Sequence, residues 1–385
     1  MTKLELIYFD AGGGHRSAAT ALCQVIERGG YPWQAQMVNL QELLEPIDVI
    51  RKLSGLRLED VYNVMLKKDW TLGAPQLLRV LQAAIHQYHD DEVRLLARHW
   101  ATSRPDLVVS LIPHFNRAMR EGLARACPDV PYVTVLTDIA DYPPHFWIEP
   151  QPQYFVCGSE KAAEQAREAG IPKDHVYRAS GMIISPRFYE PVELDIRAER
   201  RRLGLDPVFP TGLVMFGGLG SKAMLEIARA LDDSAHHLQL IFVCGRNKEV
   251  ASELQSRPTP HPRLVLGYTR EIPTLMHLSD FFIGKPGPGS ISEALAMKLP
   301  VIVQKSVWTL PQERYNADWV QEKQVGLVIS SFREVAAAVA ELLQPRNFAR
   351  FRSNAAALNN RAVFEIPAFL EEILARREVL EPALG

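Results

Sequence analysis

Hydrophobic and polar positions follow two alternating periods along most of the chain. Short apolar runs, such as residues 4–9 and 240–243, have the length and composition of buried parallel strands. Many of these runs precede a segment in which apolar residues recur at helical spacing, as in residues 17–28. This alternation of strand and helix predicts an α/β protein with parallel sheets.

The same strand–turn–helix plan opens both halves of the chain. In the first half, glycines at positions 12–14 separate the strand at 4–9 from the following helix. In the second half, Gly217, Gly218 and Gly220 separate a strand at 212–216 from a helix that starts near residue 222. The pattern breaks between residues 182 and 200. We therefore predict two Rossmann-like domains that face a central cleft, residues 1–185 and 186–365, followed by a C-terminal helix over 366–385. One continuous sheet is the alternative, and it would be unusually wide.

Composition narrows the class of protein. A chain of 385 residues is long enough for two domains, and 47% hydrophobic with 23% charged residues is typical of globular proteins. The formal net charge of −2 gives no general attraction to nucleic acid. The four cysteines show no metal-ligand spacing, and no apolar run reaches transmembrane length. A strand begins within a few residues of the N-terminus and leaves no room for a signal peptide, so we expect a cytoplasmic protein.

Residues 284–296 give the clearest functional signal. A turn rich in glycine and proline links a buried strand at 280–283 to a helix that starts near Ser290. A helix N-terminus with free N–H groups is a ready site for an anion. Glu293 lies one turn into this helix, and a carboxylate suits sugar hydroxyls rather than phosphates. The pairing predicts a nucleotide with a ribose beside a diphosphate; the alternative is an ordinary turn between strand and helix.

Polar residues also follow the predicted strands of the first half. His15 follows the first glycine turn, His114 and Asn116 follow the strand at 106–111, and Asp138 follows the strand at 132–136. Parallel strands bring these residues to one carboxyl edge. With an ordinary pKa near 6.5, His15 is a credible general base. A helix-start residue bonded to backbone is the alternative for His15. Asp138 is either the competing base or a partner that orients His15.

Residues 43–100 differ from the rest of the first half. Apolar residues and aromatic residues such as Tyr62 and Trp70 interleave with the basic residues Arg51, Lys52, Arg57, Lys67 and Lys68. A basic amphipathic insertion of this kind can bind an anionic membrane surface. A helical subdomain packed on the sheet, or a protein–protein surface, is the alternative.

Several of these motifs, in this order, resemble a known family over nearly the whole chain. The residues that carry the resemblance are Gly12–His15, Thr137 and Asp138 with Pro144 and Trp147, the run 244–247, the run 284–295, and Gln312, Glu313 and Asn316. The chain is similar to the monogalactosyl- and monoglucosyl-diacylglycerol synthase family of GT-B glycosyltransferases, which is related to the muramyl-pentapeptide lipid N-acetylglucosaminyltransferase. It departs from the family pattern at residues 217–222, which lack a further glycine, and at Asp10, where small residues are common.

The resemblance implies transfer of a hexose, galactose or glucose, from a UDP-sugar to a diacylglycerol-type lipid with inversion. It implies no required metal and no cofactor beyond the donor substrate. The ribose-binding carboxylate of the family matches Glu293, the sugar-contacting pair matches Gln312 and Glu313, and the residue of acceptor chemistry matches His15. The resulting donor site comprises Gly217, Gly218, Gly220, Arg246, Thr269, Gly287, Gly289, Ser290, Glu293, Gln312, Glu313 and Asn316. The acceptor side comprises the catalytic candidates His15 and Asp138 with Gly13, Gly14, His114 and Asn116.

Two other functions fit the same fold. A UDP-N-acetylhexosamine 2-epimerase would need inward carboxylates for proton abstraction and no lipid-facing insertion. A non-catalytic UDP-sugar sensor would bind the nucleotide and a partner protein. For the transferase we expect a UDP-hexose, a lipid acceptor and an anionic membrane surface as partners, with peripheral association at the inner face of the cell membrane.

Overall fold

A computed structural model describes residues 1–10, 13–47, 74–234, 237–307 and 309–380. The chain divides into two units. The first takes the described residues up to Pro186 together with those from Asn360 onward, and the second runs from Arg187 to Asn359. Among the described residues, none of the helices is both long and apolar enough to cross a membrane.

The first unit is built on a parallel sheet of six strands in the order β2-β1-β3-β4-β5-β6. The strands are β1 Thr2–Tyr8, β2 Trp33–Asn39, β3 Leu107–Ser110, β4 Tyr132–Val135, β5 Tyr154–Cys157 and β6 Val176–Arg178. Helices described around it are α1 Gly14–Arg28, α2 Leu40–Leu44, α3 Ala74–Ser103, α4 Asn116–Ala126 and α5 Glu160–Glu168. The strands predicted at 4–9, 106–111, 132–136 and 154–157 are confirmed within one or two residues.

Helix α1 begins at Gly14, three residues before the predicted start. Gly13 precedes it with φ +80°, a left-handed conformation that glycine adopts without strain. The Ser17 hydroxyl donates to the Gly13 carbonyl at 2.8 Å. His15 therefore lies inside the first helical turn, with its backbone fixed.

The predicted amphipathic segment 43–100 is only partly described. Its basic residues and both aromatic residues named above lie outside the described part of the chain. Near its C-terminal end, the side chains of Val93, Leu96 and Trp100 on α3 are buried in the core of the first unit. Helix α3 packs closely on α4. This end of the segment is thus a core helix, in keeping with the packed alternative.

The second unit repeats the plan with a parallel sheet in the order β12-β11-β10-β7-β8-β9. The strands are β7 Thr211–Met215, β8 Gln239–Val243, β9 Arg263–Leu266, β10 Phe281–Gly284, β11 Val301–Gln304 and β12 Gly326–Ile329. Helices described here are α6 Ile196–Arg202, α7 Ala223–Asp232, α8 Lys248–Ser256, α9 Ile272–His277, α10 Pro288–Ala296, α11 Arg314–Glu322, α12 Val335–Leu342 and α13 Pro345–Ala357. Two separate parallel sheets, rather than one, are confirmed.

After α13 the chain returns to the first unit as helix α14, Ala362–Leu380. Its predicted start was residue 366; the Asn360 side chain instead accepts a hydrogen bond from the Ala362 N–H at 3.1 Å and starts the helix earlier. Glu365 accepts a hydrogen bond from the Ser180 N–H at 2.7 Å. These contacts tie the end of the described chain to the first unit.

Candidate active site

His15 lies at the carboxyl edge of the first sheet. Its Nδ1 is 3.1 Å from the hydroxyl of Thr137, in the loop after β4. Burial lowers the pKa of His15 to about 4, while a hydrogen bond to the backbone of Leu111 acts in the opposite direction. The imidazole is therefore neutral at pH 7, which is the form in which a general base accepts a proton.

Asp138 is buried on the same edge of the sheet as His15. Its Oδ2 accepts a hydrogen bond from the indole Nε1–H of Trp147 at 2.9 Å. The Trp147 and His15 rings lie with their centroids 6.0 Å apart. The hydrogen bond to His15 Nδ1 thus involves the neighbouring Thr137, whereas Asp138 is held by Trp147.

His114 adopts a strained backbone conformation between β3 and α4. Its φ is +67°, which is uncommon for a residue other than glycine, and its N–H donates to the Phe146 carbonyl at 2.8 Å. The two rings meet edge to face with centroids 4.2 Å apart. Burial lowers the pKa of His114 to about 4. Its Nε2 is buried and has no partner among the described residues.

Asn116 is fully buried and occupied within the protein. Its amide nitrogen donates to the carbonyls of Ile112 and Trp147, at 3.1 and 3.3 Å. Its amide oxygen accepts from the Tyr132 hydroxyl at 2.7 Å. Asn116 therefore supports the loop that carries Trp147, and it does not face solvent.

Two glycine loops interlock at the carboxyl edge of the second sheet. The Arg246 N–H donates to the Gly218 carbonyl at 2.9 Å. A Cβ atom at Gly220 would lie 2.4 Å from the Cys244 carbonyl oxygen, so only glycine permits this approach. The Arg246 guanidinium lies 5.7 Å from the ring centroid of Tyr268. Next to it, the Thr269 hydroxyl accepts the Glu271 N–H at 3.1 Å.

Helix α10 points its N-terminus toward the same edge. It begins at Pro288, directly after Gly287, and the N–H groups of Gly289 and Ser290 in its first turn have no acceptor within the helix. Glu293 follows one turn later and is partly buried. Burial raises the pKa of Glu293 to about 7. A helix end with free N–H groups and a carboxyl group that can accept hydrogen bonds thus occur one turn apart.

Lys285 is a site residue that the sequence reasoning did not single out. It follows β10 directly, and its Nζ donates to Glu313 Oε1 at 2.6 Å. Glu313 is buried and ends a 3₁₀ turn, Pro311–Glu313, that also contains Gln312. The position of Lys285 just after a predicted strand is the sequence signal that could have identified it. The Asn316 amide donates to the Pro286 carbonyl at 2.8 Å, while its buried Oδ1 has no partner among the described residues.

The predicted residues therefore fall on two sheet edges, one in each unit. On the first edge lie Gly13, Gly14, His15, His114 and Asp138. The second edge carries the interlocked glycine loops, the start of α10 and the Lys285–Glu313 pair. The structure adds two hydrogen bonds that the sequence did not predict, between Thr137 and His15 and from Trp147 to Asp138.

Comparison with known proteins separates the chain into the same two parts. Residues 15–183 match the family model of monogalactosyldiacylglycerol (MGDG) synthase, and residues 213–365 match that of the glycosyltransferase family 28 C-terminal domain. The chain is 27% identical to MGDG synthase 1 of Arabidopsis thaliana over 98% of its length and 72% of that protein. It is 28% identical to the MGDG synthase of Spinacia oleracea over 97% of its length and 73% of that protein.

Solved structures share the fold at low sequence identity. The S. aureus MnaA–UDP structure matches with a TM-score of 0.63 and 15% identity, covering 97% of both chains. Acinetobacter baumannii MurG matches with a TM-score of 0.60 and 12% identity, covering 97% of this chain and 100% of the other. Together with the two parallel sheets, these likenesses show the GT-B fold. The family models and the plant relatives confirm the predicted resemblance to the MGDG synthase family of glycosyltransferases.

Proposed function

We propose that the protein transfers a hexose from a UDP-sugar to the free hydroxyl of a diacylglycerol-type lipid, with inversion at the anomeric carbon. The observation that carries this proposal is the edge of the second sheet, where interlocked glycine loops, the N-terminus of α10 and Glu293 occur together. These features suit a diphosphate beside a ribose. The relatives named MGDG synthase support a galactose donor and a diacylglycerol acceptor, with glucose as the other hexose to test.

On the donor side, the chemistry requires stabilisation of a leaving diphosphate. As the bond between the anomeric carbon and the diphosphate oxygen breaks, its electron pair stays on UDP and negative charge develops there. Preorganised N–H groups of Gly289 and Ser290 at the start of α10 would stabilise that charge. Glu293 would hold the ribose hydroxyls, and Gln312 and Glu313 would contact the hexose.

On the acceptor side, the lipid hydroxyl must lose its proton while its oxygen bonds to the anomeric carbon. Inversion requires attack from the face opposite UDP, so the base acts on the acceptor and not on the leaving group. We assign this base to the neutral imidazole of His15, which Thr137 orients at 3.1 Å. Asp138 is the competing group on the same edge.

A lipid acceptor also requires access to a membrane. We propose that the basic residues of segment 43–100 bind an anionic surface, at the inner face of the cell membrane, where diacylglycerol is presented to the first unit. Basic side chains near such a surface contribute roughly 1 kcal/mol each.

One assay tests the proposal as a whole. The protein is incubated with radiolabelled UDP-galactose or UDP-glucose and with vesicles that contain diacylglycerol. Label in the lipid phase is the expected result, and its anomeric configuration, compared with the donor, tests inversion. Conversion of the free nucleotide sugar would identify an epimerase, and binding without conversion would identify a sensor. Either result would overturn the transferase proposal.

A further inference from the structure

Trp147 is buried close to both candidate bases, His15 and Asp138. Its side chain has no solvent exposure, and its indole N–H donates to Asp138 Oδ2 at 2.9 Å. A buried indole N–H needs a partner, and here that partner is a carboxylate rather than a backbone carbonyl. The imidazole of His15 lies nearby, with its ring centroid 6.0 Å from that of Trp147.

The backbone of Trp147 is held at both ends, and full burial restricts the rotation of its indole. The backbone N–H of Trp147 donates to Asp141 Oδ1 at 2.6 Å, and its backbone carbonyl accepts from the Asn116 side-chain amide at 3.3 Å. Asp141 also accepts the His145 N–H at 3.0 Å. A side chain locked in this way can orient another group without moving itself.

An indole N–H has two properties that suit this task. It is a donor only, and it carries no titratable proton over the range in which enzymes work. The nearby imidazoles of His15 and His114 are neutral at pH 7, because burial lowers both pKa values to about 4. Trp147 thus supplies Asp138 with a hydrogen bond whose donor group does not titrate in this range.

We propose that Trp147 is a positioning residue that fixes the carboxylate of Asp138 for contact with the acceptor hydroxyl. The inference rests on the transferase function proposed above and adds to it a residue that acts through Asp138. Asp141 and Asn116 serve the same end one step further away, because they set the backbone of Trp147.

The kinetic test is a double-mutant cycle on the full chain. Trp147→Phe keeps most of the ring and removes the N–H. Loss of a hydrogen bond to a charged group should lower kcat roughly 10- to 100-fold, with UDP affinity unchanged. In an Asp138→Ala background, which has no side-chain acceptor, the same change should lower kcat by less than about twofold, since Trp147 acts through the missing carboxylate.

Trp100→Phe is the matched control. Trp100 is equally buried in the same unit, and its indole N–H donates to the buried carboxylate of Glu5 at 3.0 Å. Its substitution removes the same chemical group far along the chain from Asp138 and should leave kcat within about twofold of wild type. An equal loss of kcat in Trp100→Phe would point to general destabilisation and overturn the proposal.

A second measurement needs no turnover. The indole N–H resonance of Trp147, identified by its loss in Trp147→Phe, should lie downfield and move upfield in Asp138→Asn, while that of Trp100 stays in place. If wild type labels no lipid but the resonance responds, the transferase proposal fails and the Trp147–Asp138 contact stands. A resonance that ignores Asp138→Asn, or an equal kinetic loss in both backgrounds, would refute the positioning role.

Discussion

Glu293 should make UDP binding depend on pH in the neutral range. Burial raises its pKa to about 7. It can accept hydrogen bonds from both ribose hydroxyls only as a carboxylate, so bound UDP must lower that pKa. At pH 6 only about one tenth of the free protein carries the ionised form. The contribution of Glu293 to UDP affinity should therefore rise about tenfold from pH 6 to pH 8.

Calorimetry with two variants measures this contribution. Glu293→Ala should weaken UDP binding at pH 8 by about 2 kcal/mol, or roughly 30-fold, the scale of hydrogen bonds to a charged group. Glu293→Gln keeps the volume and removes the titration. Repeating the calorimetric titrations in buffers of different ionisation enthalpy gives the number of protons that the protein releases or takes up when UDP binds. At pH 6, wild type should release about two thirds of a proton more than Glu293→Gln. The comparison with this variant also corrects for titration of UDP itself.

Glu92→Gln is the control for this experiment. Glu92 lies buried in the first unit, and burial raises its pKa to about 8, but it is remote in sequence from the donor residues. Its substitution should leave the proton count on UDP binding as in wild type. Equal proton release by wild type and Glu293→Gln, with unchanged UDP affinity in Glu293→Ala, would refute the assignment of Glu293 to the ribose.

Three further predictions concern His15, Glu92 and the basic residues of segment 43–100. His15→Ala should lower kcat by about 10²–10⁴ without changing UDP affinity, and the acidic limb of the wild-type kcat profile should lie near pH 4; a limb near pH 6.5 would contradict the base as described. Glu92→Gln should raise Tm more at pH 8 than at pH 5, because the raised pKa of Glu92 makes native stability fall as pH rises from about 4.5 to 8, and equal shifts would argue against it. Sedimentation of the protein with anionic vesicles should weaken as salt rises, and also when glutamine replaces Arg51, Lys52, Lys67 and Lys68. A quadruple variant that still pellets like wild type would exclude these residues as the anchor.

The sequence predicted the central strands well but missed three of the four edge strands. Buried parallel strands are continuous apolar runs, as in β8 and β10, and such runs are visible without any structure. The strands not predicted, β2, β6 and β12, each lie at the edge of a sheet. Strand β2 has the sequence WQAQMVN, with exposed glutamine at position 34, and β6 has only three residues. The interrupted apolar pattern of β2 and the shortness of β6 are too weak for recognition from sequence alone.

Candidate site positions were predictable for a related reason. Parallel strands must deliver the residues that follow them to one edge, so strand ends alone indicated His15, Asp138 and Glu293. Side-chain pairing was not predictable in the same way. Asp138 was considered as a partner for His15, but the structure gives Thr137 that hydrogen bond and pairs Asp138 with Trp147. Neighbouring residues on a strand end point in different directions, and only the loop conformation decides which one meets the imidazole.

That loop conformation depends on contacts that no local pattern contains. Asp138 and Asp141 are three residues apart and look equivalent in the sequence, yet Asp141 turns its carboxylate to two backbone N–H groups of its own loop. The Gln165 side chain on α5 holds the Asp141 backbone from both sides, at 2.9 Å to the N–H and 2.9 Å to the carbonyl. Only with the loop folded in this way does the indole of Trp147 reach Asp138. One aspartate therefore builds the loop, and the other is presented by it.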